Sequence, residues 1–164
     1  MKIYEILNGS NRADIYHGTS IDNAMEILSS NMFYASTKST SEAQVSFSRV
    51  LGQAVRFASW IDPAGVVFVI DQEQLKNQVG RKMQPLDHTG GDGREYGAED
   101  KEEAVYTDIK NASSLIKKIL VFARDDLDTD RYALILNDPR TKILQHSDYE
   151  YKDNMSRKQF NRTQ

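Results

Sequence analysis

After the break Pro63-Ala64-Gly65 come five apolar residues in a row, Val66-Val67-Phe68-Val69-Ile70, four of them β-branched. A strand without a polar side has no face to show to water, so this run reads as a central strand covered on both faces. The rest of the chain must supply two covering layers. At 164 residues it is long enough for one hydrophobic core and short for two. Its 39% apolar content can fill that core, and its 27% charged content keeps the surface wet. We therefore expect a single domain over residues 1–148. The stretch beyond Asp148, YEYKDNMSRKQFNRTQ, has little to bury and is expected to form a flexible tail over residues 149–164.

Around the central strand, Lys2 to Leu7 and Asp14 to His17 read as short strands separated by the turn-forming NGSNR. Ser20 can cap a helix whose apolar stripe is Ala24, Ile27 and Leu28 and which stops at Asn31. Phe33 to Ser36 is a brief extended piece followed by a polar loop. In VSFSR, Val45, Phe47 and Arg49 alternate with Ser46 and Ser48 as in a strand, and Leu51, Ala54, Val55 and Ala58 then hold helical spacing up to Trp60. Asp71 and Gln74 make a capping pair for a helix through Leu75 and Val79. Residues 81–102, Gly-rich and charged, show no apolar period and read as a long loop, which in a compact domain is commonly functional or disordered. Strands are expected over Ala104–Ile109, Ile119–Phe122 and Tyr132–Leu136, with a helix starting at Asn111 and holding Leu115 and Ile116. Six or seven strands and three or four helices without regular βαβ alternation indicate an α+β fold.

Several chemistries are excluded or disfavoured. With no cysteine there is no disulfide framework, thiolate nucleophile or sulfur metal site. His88, near Asp87 and Asp92, lacks the spacing of a calcium loop, and three histidines without cysteine do little for zinc, so no metal is expected. Neither a phosphate-binding glycine fingerprint nor a nucleophile elbow is present. The N-terminal segment has no signal-peptide pattern and no apolar run approaches a bilayer span, so the expectation is a cytoplasmic protein that does not enter a membrane. A net charge of −3 argues against broad nucleic-acid binding and favours a protein partner, without excluding a local basic patch.

Three constellations can carry chemistry. His17-Gly18-Thr19 lies between a strand end and a capped helix, where backbone amides, a side-chain-free residue and two polar side chains can meet a ligand. The plain alternative is a tight turn with a well-bonded histidine. Glu102 and Glu103 enter a strand pointing to opposite faces, so one can reach a pocket as a base or as a charge that stabilises a developing cation. The alternative is that EDKEE is only a solvated charge run. Ser46, Ser48 and Arg49 flank Phe47, and the guanidinium of Arg49 can hold phosphate or form a surface ion pair.

Taken in order, YHGTS (residues 16–20), the Ala24-Ile27-Leu28 helix, SFSR (46–49), VVFVID (66–71) and EEAV (102–105) resemble the ADP-ribosyltransferase superfamily. The similarity is to its small toxin-like, poly(ADP-ribose) polymerase-like and phage-encoded members. That resemblance implies a split two-sheet α+β core around an NAD cleft, with NAD as co-substrate and a host macromolecule, protein in the first instance, as acceptor. It assigns His17 to the nicotinamide-side ribose, Gly18 to a backbone clamp on the nicotinamide amide, and Thr19 to the same wall. It places Tyr34 near the nicotinamide ring, Ser48 in the middle strand of the cleft and Arg49 at the phosphates. Glu103 would be the catalytic glutamate, with Glu102 as the substitute, and the loop before it would choose the acceptor. Lys101 replaces the first glutamate of the Glu-x-Glu pattern, which argues against transfer to arginine. The other functions weighed are an inactive interaction module, an NAD glycohydrolase and an RNA-end phosphotransferase. The last would need more cleft cations than Arg49, Arg56 and Arg81.

Overall fold

A computed structural model describes residues 14–37, 42–59, 64–87, 101–123 and 127–145. In chain order the elements are β1 (Asp14–Ser20), α1 (Ile21–Ser30), β2 (Met32–Phe33), β3 (Val45–Ser48), α2 (Leu51–Ser59) and β4 (Ala64–Asp71). Then follow α3 (Gln72–Val79), a 3-10 turn (Gly80–Lys82), β5 (Met83–Asp87), β6 (Lys101–Val105) and β7 (Ile109–Lys110). The remainder is α4 (Ala112–Leu115), β8 (Ile116–Ala123), α5 (Ala133–Leu136) and β9 (Thr141–Gln145). Seven strands form one sheet in the order β5-β6-β3-β1-β4-β8-β9, and β2 pairs with β7 in a second, two-stranded sheet. Every neighbour in the large sheet is antiparallel except β8 and β9, which run parallel. The fold is mixed α+β with two sheets.

The apolar run forms most of β4 and is buried on both faces as its composition requires. Val66, Phe68 and Ile70 pack with Ile21, Ala24 and Ile27 of α1, Leu75 of α3, and Phe33 and Ile109 of the small sheet. Val67 and Val69 turn to the opposite face and meet Leu51, Ala54 and Ala58 of α2. Each such side chain, fully buried, contributes roughly 1.5–3 kcal/mol to folding. The two faces are covered unequally. One carries several short elements, whereas on the other α2 lies almost on the backbone of β1 and β4. A Cβ on Gly18 would stand 2.5 Å from the Ala54 carbonyl oxygen, and one on Gly65 would overlap that of Ala58. Glycine at both strands lets the helix approach this closely.

Local signals placed the helices well. The Ser20 side chain accepts the Asn23 amide at 3.2 Å, and Asn31 closes α1 in the left-handed conformation with φ 55°. The Asp71 carboxylate accepts the Gln74 amide at 3.0 Å at the start of α3.

Four expectations are corrected. Tyr132–Leu136 is not a strand but leads into α5, because Asp128 accepts the Arg131 and Tyr132 amides and starts a helical turn. The last strand is β9. The expected Ala104–Ile109 strand is two pieces: β6 ends at Val105, and Ile109 joins the small sheet, since Asp108 turns aside to accept the Ala35 amide at 2.8 Å. The segment read as one long loop contains β5 and the start of β6, held together by the sheet ladder despite their polar sequences. Asn111 precedes α4 in a left-handed conformation but makes no side-chain cap, and Ile116 opens β8. The strand expected at Lys2–Leu7, the His88 segment and the tail at 149–164 lie outside the described residues. Among the described residues no helix is long and apolar enough to cross a membrane.

Candidate functional site

The register of the large sheet lines up the residues read as functional. Tyr16 stands opposite Ser48, which sets His17 beside Phe47, and Phe47 stands opposite Glu103. On the outer side of Glu103 is Pro85 of β5, and on the inner side of His17 is Phe68 of β4. Directly opposed residues of antiparallel strands project to the same face. Glu103, Phe47 and His17 therefore form a row, in which Glu103 and His17 are two strand spacings, on the order of 10 Å, apart.

Within that row His17 has an aromatic enclosure. Its ring meets Phe33 edge-on at 5.3 Å between centroids and Phe47 at 5.6 Å. Nδ1 lies 2.8 Å from the Ser46 carbonyl oxygen. A carbonyl can only accept, so Nδ1 carries the proton and neutral His17 presents the lone pair of Nε2. Burial holds the imidazole below its ordinary pKa of 6.5, against the opposing pull of the bond to Ser46. The neutral ring is the favoured form at neutral pH. Thr19, two residues on, is buried on the same face.

Glu103 has a different setting. It is 7% exposed, one of few charged residues so deeply placed among the described residues. Its Oε1 lies 3.4 Å from Nε of Arg49, which sits in the bend joining β3 to α2. The ion pair neutralises a carboxylate that burial would otherwise penalise. An open cavity of about 470 Å³ adjoins it, lined by Glu103, Arg49, Lys76, Gly80, Arg81 and Met83. Three cations and one carboxylate thus share the site. Gly80, at φ 57° and ψ −130°, has a backbone conformation that glycine adopts far more readily than other residues, and it turns the chain from α3 towards Arg81.

The remaining expected residues divide. Gly18 has a packing reason to lack a side chain, the approach of Ala54, and its side-chain direction faces α2 rather than the row of His17 and Glu103. Ser48 is occupied in a turn: its hydroxyl donates to the Val50 carbonyl at 2.9 Å and accepts the Val50 amide at 3.0 Å. Tyr34 follows Phe33 but is 48% exposed. The Glu102 and Arg56 side chains lie outside the described residues. Lys76 was missed by sequence reasoning, because a lysine in the polar stretch QEQLKNQV carries no mark of its own. The signal that could have found it is the basic run that continues through Arg81 and Lys82. Among the described residues no three metal-ligating side chains converge. No family model matches the chain, and no curated protein matches it.

Proposed function

We propose that this chain cleaves the nicotinamide–ribose bond of NAD and transfers ADP-ribose to a macromolecule, with Glu103 as the catalytic carboxylate. The observation that carries the reading is a deeply buried glutamate, ion-paired to an arginine, opening on a cavity and sharing a sheet row with a neutral histidine. A cavity of about 470 Å³ falls within the roughly 300–1,000 Å³ of small-molecule sites. The family resemblance at YHGTS, SFSR and EEAV supports the same assignment.

As the glycosidic bond breaks, its electron pair leaves with nicotinamide and positive charge grows on the ribose. A carboxylate fixed beside that carbon interacts more strongly as the charge appears, and so lowers the barrier rather than merely binding the substrate. The acceptor then bonds to the anomeric carbon and gives up its proton. In this scheme the lone pair on His17 Nε2 accepts a ribose hydroxyl, and the planar fork of Arg49 holds the diphosphate. Thr19 adds a polar wall. The split two-sheet core with an NAD cleft belongs to the same proposal.

Nicotinamide release from NAD by the purified protein tests it. Release abolished by Glu103→Gln supports the reading. No release from well-folded protein, alone or with cell lysate, overturns it in favour of an inactive interaction module. That second reading has its own support, since Gly18 and Ser48 both have structural roles that need no ligand. Release of free ADP-ribose without any labelled macromolecule would instead identify an NAD glycohydrolase.

A further inference from the structure

We infer that Gln44 is a positioning residue for His17: its buried amide fixes Ser46, whose main-chain carbonyl holds the imidazole proton on Nδ1 and leaves the Nε2 lone pair for a ligand. The use of that lone pair on a ribose hydroxyl rests on the transferase reading; the placing of the proton stands on geometry. A neutral imidazole in water favours its proton on Nε2, and the hydrogen bond made by one ring nitrogen decides which of the two carries it. His17 is half-buried, so water can compete for Nδ1. The Ser46 carbonyl must therefore stay in place.

Its position is exposed to fraying. β3 is four residues long with Ser46 as its second, and on the β1 side its register is the single pair Tyr16 and Ser48. Gln44 closes this strand end. Its main-chain amide donates to the Ser36 carbonyl at 3.2 Å, its carbonyl accepts the Ser36 amide at 3.0 Å, and its side-chain Nε2 donates to Ser46 Oγ at 2.9 Å. Ser36 lies three residues after Phe33. Gln44 thus joins the two pieces of chain that carry the rings beside His17, Phe33 on one and Phe47 on the other. Packing alone does not call for an amide here. Gln44 is 6% exposed, and an aliphatic side chain of similar size would fill the place without needing a partner. The bond that satisfies this amide goes to the residue whose carbonyl sets the His17 tautomer.

The test is the imidazole nitrogen NMR spectrum of the folded protein at neutral pH without NAD, with His17→Gln identifying the His17 signals among the three histidines. We expect the Nδ1-protonated form to predominate in the wild type. Gln44→Leu, which fills the place but donates nothing, should lower the ratio of Nδ1-H to Nε2-H about fivefold, the effect of one lost hydrogen bond. Ser46→Ala removes the acceptor of the same bond and should do the same, the double variant should go no lower than either single one, and Ser46→Thr should keep the wild-type ratio. Ser46 is half-buried, so Ser46→Ala answers the question even where Gln44→Leu does not fold. An unchanged ratio in the folded variants, whatever their thermal stability, additive losses in the double variant, or a wild-type proton on Nε2 overturns the inference. With NAD, KM should rise about fivefold in the variants whose tautomer has shifted, with a smaller change in kcat. An unchanged KM there overturns the role in NAD binding. A shifted tautomer in a chain that releases no nicotinamide removes the transferase reading and leaves the positioning of His17 intact, whereas Glu103-dependent release with an unshifted ratio removes the inference alone.

Discussion

The two flanks of Glu103 differ more than their distance along the sheet would suggest. On the inner flank His17 is held between aromatic rings, its proton fixed on Nδ1 and its charged form disfavoured by burial. On the outer flank Lys76 and Arg81 are exposed to water. One sheet thus sets a half-buried, aromatic-flanked histidine and an exposed, cationic rim on either side of one carboxylate.

The sharpest way to break this comparison is at its centre. Glu103→Gln is expected to lower nicotinamide release by about 100-fold or more while leaving NAD affinity nearly unchanged, because the lost charge acts mainly in the transition state. Steady-state kinetics paired with calorimetric NAD binding checks this, and equal losses in both would make Glu103 a binding residue. Next in size, Gly18→Ala is expected to cost about 1–3 kcal/mol of stability by driving a methyl group into α2. Urea denaturation that finds no change would leave the resemblance-based clamp as the reason for this glycine.

Arg49→Lys sharpens the boundary between the flanks. It retains a charge beside Glu103 but loses the planar fork, so we expect KM for NAD to rise about tenfold with a smaller change in kcat. A fall in kcat alone would place Arg49 at the reacting carbon instead.

The smallest effect concerns pH. Because burial lowers the folded pKa of His17 below 6.5, the unfolded chain binds the proton more readily. Its contribution to stability is complete above about 6.5 and is lost as pH falls through the folded value. Denaturant midpoints measured between pH 7 and pH 5 should therefore fall, and should fall less for His17→Gln. A parallel decline in both proteins would show that His17 is not the group responsible.

Legibility in the sequence followed the range of the forces involved. Ser20, Asn31 and Asp71 announced the ends of helices because a cap is a contact between residues a few positions apart. Tyr132–Leu136 was misread because five consecutive apolar residues have no period to decide between strand and helix, and the acceptor of the deciding amide bonds is Asp128, outside the run. β5 and β6 were hidden because a ladder between polar strands leaves no mark in either strand alone. In the candidate site, His17, Arg49 and Glu103 could be singled out from local patterns, whereas their register, the ion pair and the participation of Lys76 could not.

By itself, the sequence determined that a strand with no polar face must be central, that an α+β core would enclose it, and where its first helices begin and end. Those features arise from periodicity, capping and burial, which act over neighbouring residues. Only the tertiary structure decided that Glu103 would meet Arg49 across 54 positions, that His17 would be flanked by the rings of Phe33 and Phe47, and that α2 would press on Gly18. Each of these depends on strand register, and a shift of one residue would turn every side chain of a strand to its other face.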